Sequence, residues 1–486
     1  MENMTVEMEN NQAPTKVFDI NIKSFIVAMV MLALLMVATF VMANTVPHGE
    51  YARETIDGVE TIVSGTYTQT EGGISVGKWL ASPILQLGSE DGVTIIAISF
   101  FLLVIGGAFS ALDNAGILSY MLGALYARFN DKKYKMLAVV TLCFMALGSL
   151  IGSFEETIPL VPLAVALSYA LGWDALVGLG MSLMAVGCGF SCGLTNPFTV
   201  GVAQSIAGLP LFSGIWLRVM TFAIVYGLLM TFLNIYARRI EKEPKRSLVY
   251  DPENNARWTQ MQYAFVPDAK KSKALRCFVI TMVVGIALII ASAFISALSS
   301  IIMPVVGVVF LIAGTVTSLV SGMSGKEYIR WFGKGAVSVL PAVLLILMAN
   351  SVKYTLVESK SLDTILKLAQ DMTEGVPTLA VVLILYGITL LVNLFVVSGS
   401  AKAMLLIPLL MPLADVMGIS RQLVVLSYVY GDGFSDLFFP TSPILLVALG
   451  LVGINFGKWV KWTWLAQLVI LLLTAGLLAL GYYVGY

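Results

Sequence analysis

Apolar runs long enough to cross a bilayer take up most of this chain and leave little else to build with. Nine of them, 25–44, 93–112, 173–206, 212–237, 277–298, 302–321, 335–357, 420–452 and 457–485, reach or exceed the ~20 residues that a hydrocarbon core requires. Two further pairs of apolar segments, 134–151 with 155–171 and 376–397 with 402–417, read as hairpins. Each pair enters and leaves on one side, so sidedness is the same whether its arms span or turn back halfway. The composition agrees, with 58% hydrophobic and 12% charged residues and a mean hydropathy of +0.89. Soluble domains are about a quarter charged, and a polar exterior cannot be made from this stock. The expected fold class is an all-α polytopic membrane protein.

Other classes drop out on residue type. The four cysteines, Cys143, Cys188, Cys192 and Cys277, sit in or beside apolar segments at spacings that fit neither zinc nor haem. His48 is the sole histidine and lies in a polar loop, which excludes a histidine relay. The first 23 residues are mixed in charge, and the apolar run after them is longer than a signal peptide needs. A polar tail and a retained first helix are expected.

Basic residues assign the sides. With the tail inside, segments 1–24, 113–135, 238–276, 322–334 and 453–461 hold 21 of the 29 lysines and arginines. That asymmetry is the positive-inside rule. It places the N-terminus in the cytoplasm and the C-terminus outside, in a cell (plasma or inner) membrane. The stretch "ARRIEKEPKR" (237–246) is the clearest contributor; it also fits an anionic-lipid surface, though topology alone accounts for it. Arg218, Asp113 and Asp174 lie near helix ends, where snorkelling is expected.

The chain resembles itself at an offset of 246 residues. "PLAVALSYALG" (162–172) aligns with "PLLMPLADVMG" (408–418), and "LTNP" (194–197) with "PTSP" (440–443). Shared prolines and glycines mark backbone breaks rather than general apolarity. The span count inverts the two copies, and inverted repeats with interrupted helices characterise secondary transporters. The organisation expected is a tail (1–24), a first helix with the first repeat (25–237, hairpin 134–171, broken helix 173–206), a basic loop (238–276) and a second unit (277–486, hairpin 376–417, broken helix 420–452).

The breaks "GLTNPFT" (193–199) and "FPTSPI" (439–444) set Thr195, Asn196, Thr441 and Ser442 beside prolines inside apolar runs. Proline removes a helix hydrogen bond, and backbone freed in lipid is tolerated only where it lines an enclosed cavity. The same offset aligns Glu156 with Lys402, which makes "GSFEET" and "SGSAKAM" equivalent hairpin tips. Small residues there (Ser153; Ser398, Gly399, Ser400) let backbone approach a ligand, and Glu155, Glu156 and Lys402 would face a cavity and pair across the pseudo-twofold axis. Arms that spanned fully would instead place these charges at an interface. Asp432 and Asp436, four apart, share a helix face just before the second break.

These tips and breaks, "GSFEETIPLVPLAVALSYALGWD" and "SGSAKAMLLIPLLMPLADVMG" above all, resemble the C4-dicarboxylate anaerobic carrier family, and within it the YfcC-like branch named for basic amino acid antiport. The pattern is similar, more distantly, to other members of the ion transporter superfamily. The resemblance implies a homodimer whose scaffold carries an elevator-like transport domain with two re-entrant hairpins. It places substrate or sodium at the tips and breaks, with sodium near Ser153, Asn196, Ser398 and Thr441. Dicarboxylate symporters of that superfamily carry Ser-Asn-Thr at both tips, where this chain has Gly-Ser-Phe and Ser-Gly-Ser.

The expected function is ion-coupled symport or exchange of a small carboxylate-bearing metabolite, with proton or sodium as coupling ion and no other cofactor. Four acids against one base in the candidate site favour a basic amino acid such as arginine or ornithine. A C4-dicarboxylate or other short organic anion is the alternative, and an ion channel the remoter one. No Walker motif, metal cluster or nucleophile–base pair points to ATP drive or to an enzyme, and nothing points to nucleic acid.

Overall fold

A computed structural model describes residues 22–56, 59–63, 65–89, 92–152, 154–250, 267–292, 295, 302–371 and 375–486. Ser153 lies outside the described residues, as does the tail before Ile22. The chain folds as a helical membrane protein. Eight helical stretches are long and apolar enough to cross a bilayer, with shorter apolar helices at Pro304–Val320, Thr378–Asn393 and Gly399–Met411.

Helix α1 (Ile22–Thr45) leads into a segment that is not plain loop. Strands β1 (Gly49–Glu50) and β4 (Thr68–Gln69) pair antiparallel, as do β2 (Arg53–Ile56) and β3 (Val59–Ile62), before α2 (Val76–Leu85). Next come α3 (Gly92–Asn114), α4 (Ile117–Phe129) and α5 (Lys133–Ile151). A 3-10 turn (Glu155–Leu160) joins α5 to α6 (Val161–Ala170), which completes the first hairpin. The first interrupted helix runs through α7 (Ala175–Leu179), a π turn (Gly180–Met184), α8 (Ala185–Cys192), the break, a second π turn (Pro197–Gly201) and α9 (Val202–Ile206). Helix α10 (Ile215–Lys242) continues five residues beyond the expected span, into the basic stretch.

The second unit comprises α11 (Ala269–Ser292), α12 (Ile302–Val320), α13 (Gly325–Ser338), α14 (Leu340–Glu358) and α15 (Leu362–Asp371). Its hairpin is α16 (Thr378–Asn393) and α17 (Gly399–Val416), and its interrupted helix α18 (Arg421–Asp436) and α19 (Pro443–Leu451); α20 (Phe456–Tyr483) ends it. Two further boundaries differ from expectation. The segment 322–334 is helical, because Ser324 and Glu327 form a capping box that starts α13 at Gly325. Helix α11 begins at Ala269, eight residues early, because a lysine-rich turn is a good helix former despite its charge.

Both breaks fall where the prolines put them. Left-handed Gly193 (φ 50°) stops α8, and Asn196, extended ahead of Pro197, caps the next turn by accepting from Phe198 N–H at 2.9 Å. Ser442 does the same ahead of Pro443, accepting from Leu445 N–H at 3.4 Å.

Glycine sets how closely these elements approach. A Cβ on Gly148 of α5 would strike Val186 O of α8, and one on Gly189 would strike Met145 O. Between the two units the contacts are reciprocal. Gly187 of α8 receives the Leu437 side chain at the end of α18, and Gly433 of α18 receives Ser191 of α8. Gly187 and Gly433 are equivalent at the 246 offset, and so are Ser191 and Leu437. Contacts of residue i with j and of j with i are what a two-fold relation between the copies would give. The half-helices cross in the same way, with α9 packed on α17 of the second hairpin and α19 packed on the Glu155–Leu160 turn of the first.

Candidate functional site

The second hairpin folds around one lysine. Lys402, in the first turn of α17, is completely buried, as is Asp432 on α18. Its ammonium donates to Asp432 Oδ1 and to Asn393 Oδ1 at the end of α16. The Asn393 amide in turn donates to Asp432 O (2.9 Å), Ser435 Oγ (2.6 Å) and Asp436 Oδ1 (2.8 Å). One amide thus holds both acids and the lysine, because burial of a charge is tolerable only when it is paired and hydrogen-bonded. Gly399 starts the helix with its carbonyl accepting from Tyr428 OH. A Cβ on Gly399 would lie 2.8 Å from Asp432 Oδ2 and 2.9 Å from Thr199 Cγ2, so the bare backbone seats this tip between α18 and the first break.

The first tip is clamped to the first break. Helix α5 ends in left-handed Gly152 (φ 75°), where a Cβ would land on Asn196 Oδ1. Ser149 Oγ accepts from Leu194 N–H (3.1 Å), Ser149 O from Thr195 N–H (3.2 Å), and Thr195 Oγ1 donates to Leu150 O (2.8 Å). Glu155, half-buried, opens the following turn within electrostatic reach of Asp432 and Asp436, while Glu156 is buried. Tips, breaks and α18 therefore share one region drawn from both units.

Five buried polar atoms of that region have no partner among the described residues: Glu156 Oε2, Asn196 Nδ2, Thr199 Oγ1, Asp432 Oδ2 and Thr441 Oγ1. Leaving a buried polar group unsatisfied costs about 1–3 kcal/mol. Gathered at two breaks, one tip and the adjoining face of α18, these are the atoms that a polar ligand would engage. They offer an amide donor, two hydroxyls and two carboxylate oxygens.

The sequence of residues 25–483 matches the family described as the C4-dicarboxylate anaerobic carrier, which is nearly the whole chain. The chain belongs to that family. It is a membrane transporter of this type, and family membership points to a role other than catalysis. A relative from Escherichia coli (strain K12), YfcC, is 29% identical over 393 residues, covering 78% of this chain and 75% of that one; its name provisionally calls it a basic amino acid antiporter. An uncharacterized protein of Haemophilus influenzae is 27% identical over 378 residues, covering 76% and 72% of the two chains. Among solved structures, the Alcanivorax borkumensis YdaH transporter aligns at TM-score 0.43 with 19% identity over 95% of this carrier and 99% of its own chain. Neisseria gonorrhoeae MtrF aligns at TM-score 0.44 with 14% identity over 95% of each chain.

Not every expected site residue of the carrier takes its expected place. Lys402 does not pair with Glu156 across the axis; its partners are Asp432 and Asn393 of its own unit. The repeat offset aligns backbone positions, but a first-turn lysine on α17 points at the helix packed beside it, which is α18. Ser398 is exposed and Ser400 half-buried, their hydroxyls 3.5 Å apart. Arg218 does not snorkel. It is 1% exposed and donates to Phe212 O (3.0 Å) and Ser213 O (2.9 Å). Asp174 is also buried, accepting from Tyr236 OH (2.7 Å), Ser247 Oγ (2.6 Å) and Val177 N–H (3.0 Å), and Asp113 is 7% exposed.

Two residues escaped the sequence reading. Asn393 was visible as a lone amide inside an apolar run, but its repeat equivalent is Leu147, so the internal comparison gave no hint of it. Thr199 closes the first break as written, but only Thr195 and Asn196, ahead of Pro197, are singled out there.

Proposed function

We propose that this carrier is a secondary active transporter, an exchanger or ion-coupled symporter, of a small carboxylate-bearing metabolite with a positively charged end, such as arginine or ornithine. The observation that carries this reading is the state of Lys402. It is the only base among the candidate residues, and Asp432 already neutralises it. Glu155, Glu156 and Asp436 remain as an acidic excess around the breaks, which attracts a cationic group and repels a doubly negative dicarboxylate. The substrate carboxylate then falls to Asn196 Nδ2 and to the backbone N–H groups at the breaks, where helix starts favour anions.

The reciprocal Gly187–Leu437 and Gly433–Ser191 contacts support two inverted repeats around this site. The ion pairs support the sidedness. Lys133–Glu241 joins two segments read as cytoplasmic, while Arg53–Asp363, Lys78–Glu358 and Lys360–Glu50 join segments read as external. The reading takes the carrier as a homodimer in the cell inner membrane with an elevator-like movement of the hairpins. Sodium or a proton is the coupling ion, with Thr441 Oγ1 and Asn196 the groups nearest to hand for sodium.

A C4-dicarboxylate, the class that gives the family its description, is the second reading. Proteoliposomes loaded with unlabelled arginine or succinate and supplied with the labelled compound, with and without sodium and pH gradients, decide between the two. Arginine counterflow is expected. Succinate counterflow with no arginine exchange overturns the proposal.

A further inference from the structure

Helix α10 is longer than a membrane needs. Its 28 residues span about 42 Å at 1.5 Å each, against a hydrocarbon core of about 30 Å. Trp216, 52% exposed at its start, marks one interface, as aromatic belts do. Some 20 residues further on stands Ile235, 65% exposed, and beyond it the helix must project into the headgroup layer.

A cavity of about 620 Å³ opens there, lined by Ile235, Arg238, Arg239, Lys242, Glu243 and Arg246. Its one carboxylate, Glu243, is paired with Arg246. The neighbouring acid Glu241 faces the other way, held by Lys133 (2.8 Å), Tyr134 OH (2.8 Å) and the Trp173 indole. Arg238 stacks over Tyr134 with its guanidinium carbon 5.3 Å from the ring centre, while Arg239 and Lys242 have no acidic partner among the described residues. Topology accounts for cations at this end of the helix. It does not account for their lining one open pocket with an exposed isoleucine on its membrane side.

We infer that this cavity holds the headgroup of an anionic phospholipid from the leaflet at the C-terminal end of α10. Guanidinium groups match phosphate oxygens in a two-pronged fit, and Arg239, Lys242 and Arg246 bring three cations to one place. The acyl chains follow Ile235 back along the helix into hydrocarbon. Bound lipid also steadies the joint between α10 and the first hairpin, because Glu241 and Ser247 tie this end to Lys133, Trp173 and Asp174.

The test uses the full chain in nanodiscs of equal phosphatidylglycerol and phosphatidylcholine, with retained lipid counted by native mass spectrometry. Wild type should retain phosphatidylglycerol preferentially. Arg239→Gln/Lys242→Gln/Arg246→Gln should weaken that retention at least tenfold, and Arg239→Lys/Arg246→Lys should keep most of it. Phosphatidylglycerol should raise the melting temperature in detergent where millimolar glycerol 3-phosphate does not. Equal retention of both lipids, unchanged retention by the triple variant, or an equal shift from glycerol 3-phosphate overturns the inference; the last would assign the cavity to a soluble anion. Should the triple variant fail to fold, wild-type retention at low and high salt decides. Headgroup binding falls as salt rises, and retention indifferent to salt overturns the inference.

Discussion

Replacing Lys402 by methionine should expose how the second hairpin is held. The substitution leaves Asp432 ionised with no cation, at a position with no exposed surface. Breaking a buried pair by removing one partner costs about 3–5 kcal/mol. Asp432→Asn strands the ammonium and should cost a similar amount. Two independent losses would sum to roughly 6–10 kcal/mol, but the double variant has no lone charge from this pair, so it should lose little more than either single. The coupling is then about 3–5 kcal/mol, at or above the upper end of the 0.5–3 kcal/mol found for residues in contact. The assay is thermal unfolding of purified protein in one detergent, followed by tryptophan fluorescence. A parallel cycle of Lys402→Met with Glu156→Gln should be additive to within about 0.5 kcal/mol, since Glu156 is not a partner of Lys402. Additive melting-temperature losses in the Lys402/Asp432 cycle, or strong coupling in the Glu156 cycle, would refute the assignment.

Three further outcomes are expected. Asn393→Leu removes the donor to Asp436 and the acceptor for Lys402, and hydrogen bonds to charged groups are worth about 1.5–3 kcal/mol each; uptake by proteoliposomes should fall with stability, and unaltered uptake would place Asn393 outside the site. Gly189→Val forces α8 away from Met145 O of α5, and overpacking of this kind costs about 1–3 kcal/mol; an unchanged melting temperature would show that the helices have room to part. Burial raises the Asp363 carboxyl above its ordinary value, against the lowering effect of Tyr51 N–H and Arg53. Its contribution to stability is therefore fully present below the unfolded value of about 4 and is lost as pH rises through the folded value. Melting profiles across pH 3–7 should show that loss in wild type and its absence in Asp363→Asn.

How much could be read in advance depended on whether the cause was local. Apolar length fixed the membrane class, since a run of twenty uncharged residues has no soluble alternative. Pro197 and Pro443 located both breaks, because proline and the residue before it act on their own backbone. Glu155, Glu156, Asp432 and Asp436 were conspicuous because charge in lipid is costly wherever it occurs. Partnership is not local. Whether Lys402 meets Glu156 or Asp432 depends on which helix packs beside α17, and the repeat offset carries backbone equivalence only. Asn393 gained its role by lying where three elements converge, and Arg218 lost its expected one because the 207–214 loop folds carbonyls over it. The breaks were decided by bonds along the chain. Their chemistry was decided by distances across it, which only packing sets.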